Sequence, residues 1–357
     1  MPTLPPSKKP TLPPGLGSRR LSPSKPKIDR KAYSSDQDVR WCPGCGDYAI
    51  LASVQRLMPQ LDVKRENVVF ISGIGCSSRF PYYMETYGMH SIHGRAPTVA
   101  TGLKASRPEL DVWVVTGDGD ALSIGGNHLI HILRRNVNLQ ILLFNNQIYG
   151  LTKGQFSPTS EIGKVTKSSP FGSVSPPFNP ISISLGASAS FVARTADRDT
   201  KHLTQILRRA HAHQGSSFIE IYQNCNIYND GAFFAFTEKA TKPERTIYLE
   251  HGKPMLFSNG SKGIRLAGFS PVVFDLEEGH LSSEDAIVYD ETSLELAEIV
   301  SRMSQQPDMP RPFGVFYREE RPTYEQMLQE QVMAVTEKRG QGDLDKLLHA
   351  ADTWTIS

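Results

Sequence analysis

Two polar strings, each closing an apolar run, constrain this chain more than any other feature. Val112-Trp113-Val114-Val115-Thr116 ends in Gly117-Asp118-Gly119-Asp120, and Leu139-Gln140-Ile141-Leu142-Leu143-Phe144 ends in Asn145-Asn146. Between them, residues 125–135 have helical periodicity. The pattern predicts strand, helix, strand, with both strands apolar throughout, as parallel strands buried on two faces are. A right-handed crossover puts both strand ends on one edge of the sheet. Asp118 and Asn146 are therefore expected to meet outside the carboxyl edge, where open α/β sheets bind ligands. A carboxylate and an amide oxygen suit a hard cation such as Mg²⁺, which keeps phosphate or water oxygens as its other ligands. The glycines let the backbone approach a diphosphate closely. Taken singly, Gly-Asp-Gly also serves as an ordinary turn, and paired asparagines also end strands.

Four cysteines narrow the chemistry. Cys42 and Cys45 sit in Cys-Pro-Gly-Cys, Cys76 follows Gly73-Ile74-Gly75, and Cys225 follows Tyr222-Gln223-Asn224. Four thiolates can hold tetrahedral zinc or an iron–sulfur cluster, a C-x-x-C pair can form a redox disulfide, and buried cysteine also serves as a small hydrophobe. Spacing alone leaves these readings open. The number and pairing of cysteines suit a reducing cytoplasm better than a secreted disulfide scaffold.

In order along the chain stand Arg40-Trp41-Cys42-Pro43-Gly44-Cys45-Gly46-Asp47, Gly73-Ile74-Gly75-Cys76-Ser77, His93-Gly94-Arg95 and Gly117-Asp118-Gly119-Asp120. The Gly-Asp-Gly and Asn-Asn pair resembles the signature of thiamine-diphosphate enzymes. The whole series resembles the β subunit of the 2-oxoacid:ferredoxin oxidoreductases, most closely the 2-oxoglutarate (oxoglutarate synthase) branch. The likeness is dense over residues 38–230 and looser beyond. It implies Mg²⁺ held by Asp118, Asn146 and the Ile148 carbonyl, and one [4Fe–4S] cluster on Cys42, Cys45, Cys76 and Cys225. It carries thiamine diphosphate contacts onto Ile74, Gly75, Cys76, Ser77, His93, Gly119, Asp120, Gly150 and Leu151, with His93 and Arg79 as catalytic candidates. Arg79 is the departure that bears on chemistry, because many relatives acting on other 2-oxoacids have Lys there. A five-carbon dicarboxylate presents a second carboxylate that a planar guanidinium can pair bidentately.

The implied activity is oxidative decarboxylation of 2-oxoglutarate to succinyl-CoA and CO₂, with coenzyme A as co-substrate and electrons leaving through the cluster to ferredoxin, or the reverse carboxylation. Pyruvate or another 2-oxoacid is the alternative substrate. The glutamate that activates the aminopyrimidine comes from the α subunit in this family, and no substitute for it stands out here. Activity is therefore expected only with an α partner, as an (αβ)₂ heterotetramer. A thiamine decarboxylase without iron leaves the cysteines unused, and a zinc-binding scaffold subunit leaves Asp118 and Asn146 unexplained.

The expected fold class is α/β: an open, mostly parallel sheet with helices on both faces, of the type that binds the diphosphate of thiamine diphosphate, plus a C-terminal appendage. Residues 67–72 and 218–222 read as strands that deliver Cys76 and Cys225 to the edge already holding Asp118; residues 48–57 and 203–211 read as helices. Residues 1–36, rich in Pro, Ser, Lys and Arg, read as a disordered or docking arm. Residues 37–240 form the cofactor domain and 241–357 a C-terminal extension with a terminal helix over 326–338. Residues 150–180 form a long loop of the kind that is functional or disordered. Lys104 and Arg107 read as a solvated helix face, and His90, His128, His131, His211 and His213 as satisfied core or surface residues. A net charge of +2 gives no footprint for nucleic acid. No apolar stretch approaches the length of a membrane span, so a cytoplasmic location is expected.

Overall fold

Alternation along the apolar runs sorts their side chains into two cores. The computed structural model describes residues 29–354 and 356, apart from residues 277–280. Its strands begin with β1 (Val68–Ser72), β2 (Tyr87–His90), β3 (Asp111–Gly117), β4 (Leu139–Asn145), β5 (Phe191–Ala196) and β6 (Ser216–Tyr222). In β3, Val112 and Val114 enter one core while Trp113 and Val115 enter the other; in β4, Ile141 and Leu143 oppose Leu142 and Phe144. Successive strand side chains point to opposite faces, so a run apolar at every position needs cover on both. The helices Ala96–Ser106, Gly126–Arg135 and Pro180–Gly186 cover one face, and Asp47–Leu57 and Thr200–Ala212 the other.

The remaining strands are β7 (Thr246–Leu249), β8 (Leu256–Phe257), β9 (Lys262–Ala267), β10 (Ser270–Asp275) and β11 (Arg311–Arg318). Among the described residues the main sheet has eight strands in the order β2-β1-β3-β4-β6-β5-β11-β7. From β2 through β5 every neighbour pair is parallel; β11 lies antiparallel to β5 and parallel to β7. β1, β3, β4 and β6 are thus consecutive, and all four end on one edge.

Two expectations change. Residues 1–28 of the expected arm lie outside the described residues, but from Arg30 onward the chain is packed. Tyr33 is only 1% exposed, Arg30 donates to the Gln55 side chain, and Ser34 bridges Met84. One aromatic side chain is enough to anchor this segment in the core, so the packed domain starts before residue 37. In the C-terminal extension, β7 and β11 complete the main sheet, and the helix Leu294–Arg302 adds Ala297 and Val300 to its core. Lys104 is buried rather than solvated, because its ammonium donates to the carbonyls of Pro108 (2.7 Å) and Leu110 (2.9 Å) and so closes the turn before β3. That burial lowers its pKa.

Candidate active site

Asp120 holds the site's loops together. Its Oδ1 accepts from the backbone N–H groups of Ile74 (3.1 Å) and Gly94 (2.9 Å) and pairs with His93 Nδ1 (2.9 Å), while Oδ2 accepts from Thr116 Oγ1 (2.7 Å). One buried carboxylate therefore ties the turn after β3 to the loop after β1 and to the His93-Gly94-Arg95 turn. Gly73 makes room for it, since a Cβ there would lie 1.8 Å from Asp120 Oδ2. Asp120 also lines the cavity at this edge, together with Ile74, His93 and Asp118. His93 is half exposed and has Nδ1 committed to Asp120, leaving Nε2 as its free ring nitrogen.

Asp118 is 2% exposed at the head of the same cavity. Its Oδ2 accepts from Ser157 Oγ (2.5 Å) and Thr159 Oγ1 (2.6 Å). Burial raises its pKa to about 6 against the lowering effect of those two hydroxyls. The two asparagines have different partners. Asn145 is buried, donating to Glu220 Oε1 and accepting from Thr159 Oγ1 and the Gln147 amide. Asn146 accepts from the Ile148 N–H (3.1 Å) and lines the cavity with Asp118 and Ile148. The second asparagine is therefore the one that faces the cavity beside Asp118. Tyr149 covers Gly119 so closely that a Cβ there would lie 2.1 Å from its ring, and its hydroxyl donates to the Gly119 carbonyl. Every residue that sequence reasoning gave to the thiamine diphosphate and to Mg²⁺ lines this one cavity, of about 70 Å³.

The four cysteines line a second cavity, of about 210 Å³. Trp41 Nε1 donates to the Cys76 carbonyl (2.6 Å), and Asn226 Nδ2 donates to the Pro43 carbonyl (2.7 Å), so the three cysteine loops are pinned to one another. Among the described residues, no three His, Cys, Asp or Glu side chains converge on a single-ion position; the thiols are spread around the cavity. A Cβ built on Gly150 would lie 3.6 Å from the sulfurs of both Cys76 and Cys225. Burial, then the Asp47 charge, then the neighbouring thiols push Cys76 up to about 12, and burial with the Asp47 charge likewise raises Cys45. Thiols held in this way give up their protons to solvent when a cation binds to them. Cys76, Asn146, Gly150 and Leu151 line both cavities and form the wall between them. Arg79 lines the cysteine cavity, not the diphosphate one, and its Nε donates to Tyr83 Oη (3.1 Å).

Sequence reasoning missed Ser157, Thr159 and Tyr149. The two hydroxyls reach Asp118 across 39 and 41 residues from within the long loop, and no local pattern announces such a contact. That loop is folded: Ser157, Thr159 and Ser160 are buried, and the first two bond Asp118.

A family model described as the thiamine pyrophosphate enzyme, C-terminal TPP binding domain, matches residues 73–221. This span runs from the loop after β1 to the end of β6. The chain is 53% identical over 331 residues to the 2-oxoglutarate oxidoreductase subunit KorB of Mycobacterium tuberculosis, across 91% of this chain and 88% of that protein. It belongs to the β subunits of the 2-oxoacid:ferredoxin oxidoreductases. A β subunit from Saccharolobus solfataricus, named for 2-oxoacid:ferredoxin oxidoreductase, is 44% identical over 192 residues, covering 53% of this chain and 63% of that one. Among solved structures, 2-oxoglutarate:ferredoxin oxidoreductase from Magnetococcus marinus, with 2-oxoglutarate, coenzyme A and succinyl-CoA bound, superposes with a TM-score of 0.71 and 32% identity. That match covers 91% of this chain and 97% of the other. As a member of this family, the chain is a catalytic subunit of a thiamine-diphosphate-dependent oxidoreductase. Among the described residues no helix is long and apolar enough to cross a membrane.

The central place of Asp120 is testable without cofactor. Asp120→Ala removes the shared acceptor of two loops, and a buried donor left unmade costs about 1–3 kcal/mol. Urea unfolding should show a loss of at least that size, and the amides of Ile74 and Gly94 should exchange with solvent faster. Unchanged exchange at both amides would show that the loops do not depend on this carboxylate.

Proposed function

We propose that this β subunit binds the diphosphate of thiamine diphosphate through Mg²⁺ in the first cavity, holds one [4Fe–4S] cluster in the second, and acts on 2-oxoglutarate. The observation that carries the reading is the wall of Cys76, Asn146, Gly150 and Leu151, which belongs to both cavities. A residue of the cysteine set and a residue of the metal set thus stand on the same partition.

The residues present fit both groups. Asp118 and Asn146 offer the oxygen donors that Mg²⁺ prefers, and the buried Asp118 carboxylate is stabilised by a cation. Four thiols around one cavity suit a cluster whose four irons each take one thiolate, a better match than a single zinc ion on which all four would have to converge. When bound, thiamine diphosphate supplies the carbon nucleophile for the 2-oxo carbon and the cluster supplies a one-electron acceptor. The protein's tasks are positional. Asp120 fixes the Ile74 and Gly94 loops, Ser157 and Thr159 orient Asp118, and His93 presents Nε2 to the cavity because Nδ1 is occupied.

The first cavity, at about 70 Å³, admits one end of a large cofactor. The rest of its enclosure comes from an α subunit, which also supplies the glutamate for the aminopyrimidine, in an (αβ)₂ assembly. Coenzyme A is the acyl acceptor and ferredoxin the electron carrier, with the reverse carboxylation open to the same machinery. The preference for 2-oxoglutarate draws on the likeness to the Mycobacterium tuberculosis subunit and the Magnetococcus marinus enzyme.

The two sites should fail separately. In the anaerobically purified αβ complex, Asp118→Ala should lose thiamine diphosphate on dialysis while keeping its iron. Cys225→Ser should lose iron and sulfide while still binding thiamine diphosphate. Cofactor retained in the first variant, or full iron in the second, would remove that residue from its ligand set.

Arg79 gives a test of substrate choice. It faces the thiols, so pairing with the distal carboxylate of 2-oxoglutarate requires the substrate to extend toward the cysteine cavity. Arg79→Lys should raise KM for 2-oxoglutarate more than for pyruvate, with a difference of about 1.5–3 kcal/mol for a charged hydrogen bond. Equal losses for both substrates would assign Arg79 to the loop or to the shared 2-oxoacid head.

A further inference from the structure

Gln223 is the buried amide whose chemistry the site has not used. It is 1% exposed and sits one residue past the end of β6, where its backbone N–H donates to the Asn145 carbonyl (2.9 Å) and extends the ladder with β4. Strand pairing thus fixes its backbone. Its side-chain Nε2 donates to the Asn224 carbonyl (2.7 Å) and to Cys45 Sγ (3.2 Å), and its Oε1 is buried with no hydrogen-bond partner among the described residues. The reverse orientation of the amide would turn Oε1 toward two acceptors, so chemistry selects the one that places N–H on sulfur. A buried acceptor left unpaired calls for a compensating role.

We propose that the Gln223 amide is a positioning residue that sets the reduction potential of the iron–sulfur cluster, by donating a hydrogen bond to the Cys45 sulfur. This rests on the cluster reading above. Reduction adds one electron, and so one negative charge, to the cluster and its thiolates. An N–H aimed at a thiolate sulfur stabilises the more negative state and raises the potential. The backbone N–H of Asp47 also favours charge on Cys45, and it remains in any Gln223 variant, as does the buried Asp47 carboxyl beside the same sulfur. A change on substituting Gln223 therefore reports the side-chain amide.

The test is an EPR-monitored redox titration of the anaerobic αβ complex, in wild type and in Gln223→Met, which keeps the length of the side chain and removes the donor. The expected result is unchanged iron and sulfide with a midpoint shifted negative, by about a tenfold fall in the reduction equilibrium, or about 59 mV for a one-electron couple. Gln223→Glu, which replaces the donor with a charge, should shift it further in the same direction. A wild-type midpoint in Gln223→Met would overturn the proposal. If that variant loses its cluster, the wild-type complex labelled with ¹⁵N in its glutamine side chains decides instead. A glutamine ¹⁵N coupling to the reduced cluster by pulsed EPR supports the hydrogen bond, and its absence refutes it. Wild-type complex that contains no iron after anaerobic reconstitution would instead overturn the cluster reading itself, and this inference with it.

Discussion

The register of four adjacent parallel strands governs everything at this site. β1, β3, β4 and β6 pair side by side, and each hands a loop to one edge: the Cys76 loop, the Asp118 turn, the Asn145-Asn146 turn and the Cys225 loop. Ladder contacts fix the relative heights of those ends, with Ser72 opposite Val115, Gly117 opposite Phe144, and Asn145 opposite Tyr222. A slip of one residue in any strand would turn its apolar set to the wrong face. The two cores therefore enforce the geometry of the ligands, and the same burial that stabilises the sheet aligns the chemistry.

Charge placed at that edge is expensive, and the protein's response differs between the two carboxylates. Asp120 has hydrogen-bond donors at both oxygens and serves to hold the loops around it. Asp118 has hydroxyls on one oxygen and stands at the cavity, where a bound cation would lower the cost of its charge. The thiols follow the second pattern: Cys45, Cys76 and Cys225 are partly buried, and charge on one opposes charge on its neighbours, so binding a cationic centre there would also organise the three loops. Cys76 carries that coupling to the partition between the cavities, because it belongs to both.

Much of this was legible in the sequence because the chemistry sits at the ends of long apolar runs. β1, β4 and β6 are buried at every position and β3 at all but its two ends, and such strands announce their own limits. β2 gave no such signal, since all four of its residues are exposed, and β5 hides behind the charge of Arg194, which is buried against Glu220 (2.7 Å). β7 and β11 are apolar runs among turns, and only the pairing of β11 with β5 and of β7 with β11 shows that they extend the main sheet. Lys104 has the spacing of a solvated residue but finds two carbonyls to bond. The roles of Ser157, Thr159 and Gln223 depend on contacts between distant segments, which local patterns do not encode. Even the division of labour between Asp118 and Asp120, two residues apart, appears only once the loops they bond are in place.

The shared partition makes one measurement decisive. The oxidised αβ complex, loaded with thiamine diphosphate and Mg²⁺ and kept free of ferredoxin, is mixed anaerobically with 2-oxoglutarate and coenzyme A and frozen for EPR. The account predicts the signal of a reduced [4Fe–4S] cluster, dependent on the 2-oxoacid and absent in Cys225→Ser. A cluster that dithionite reduces but 2-oxoglutarate leaves oxidised would contradict it.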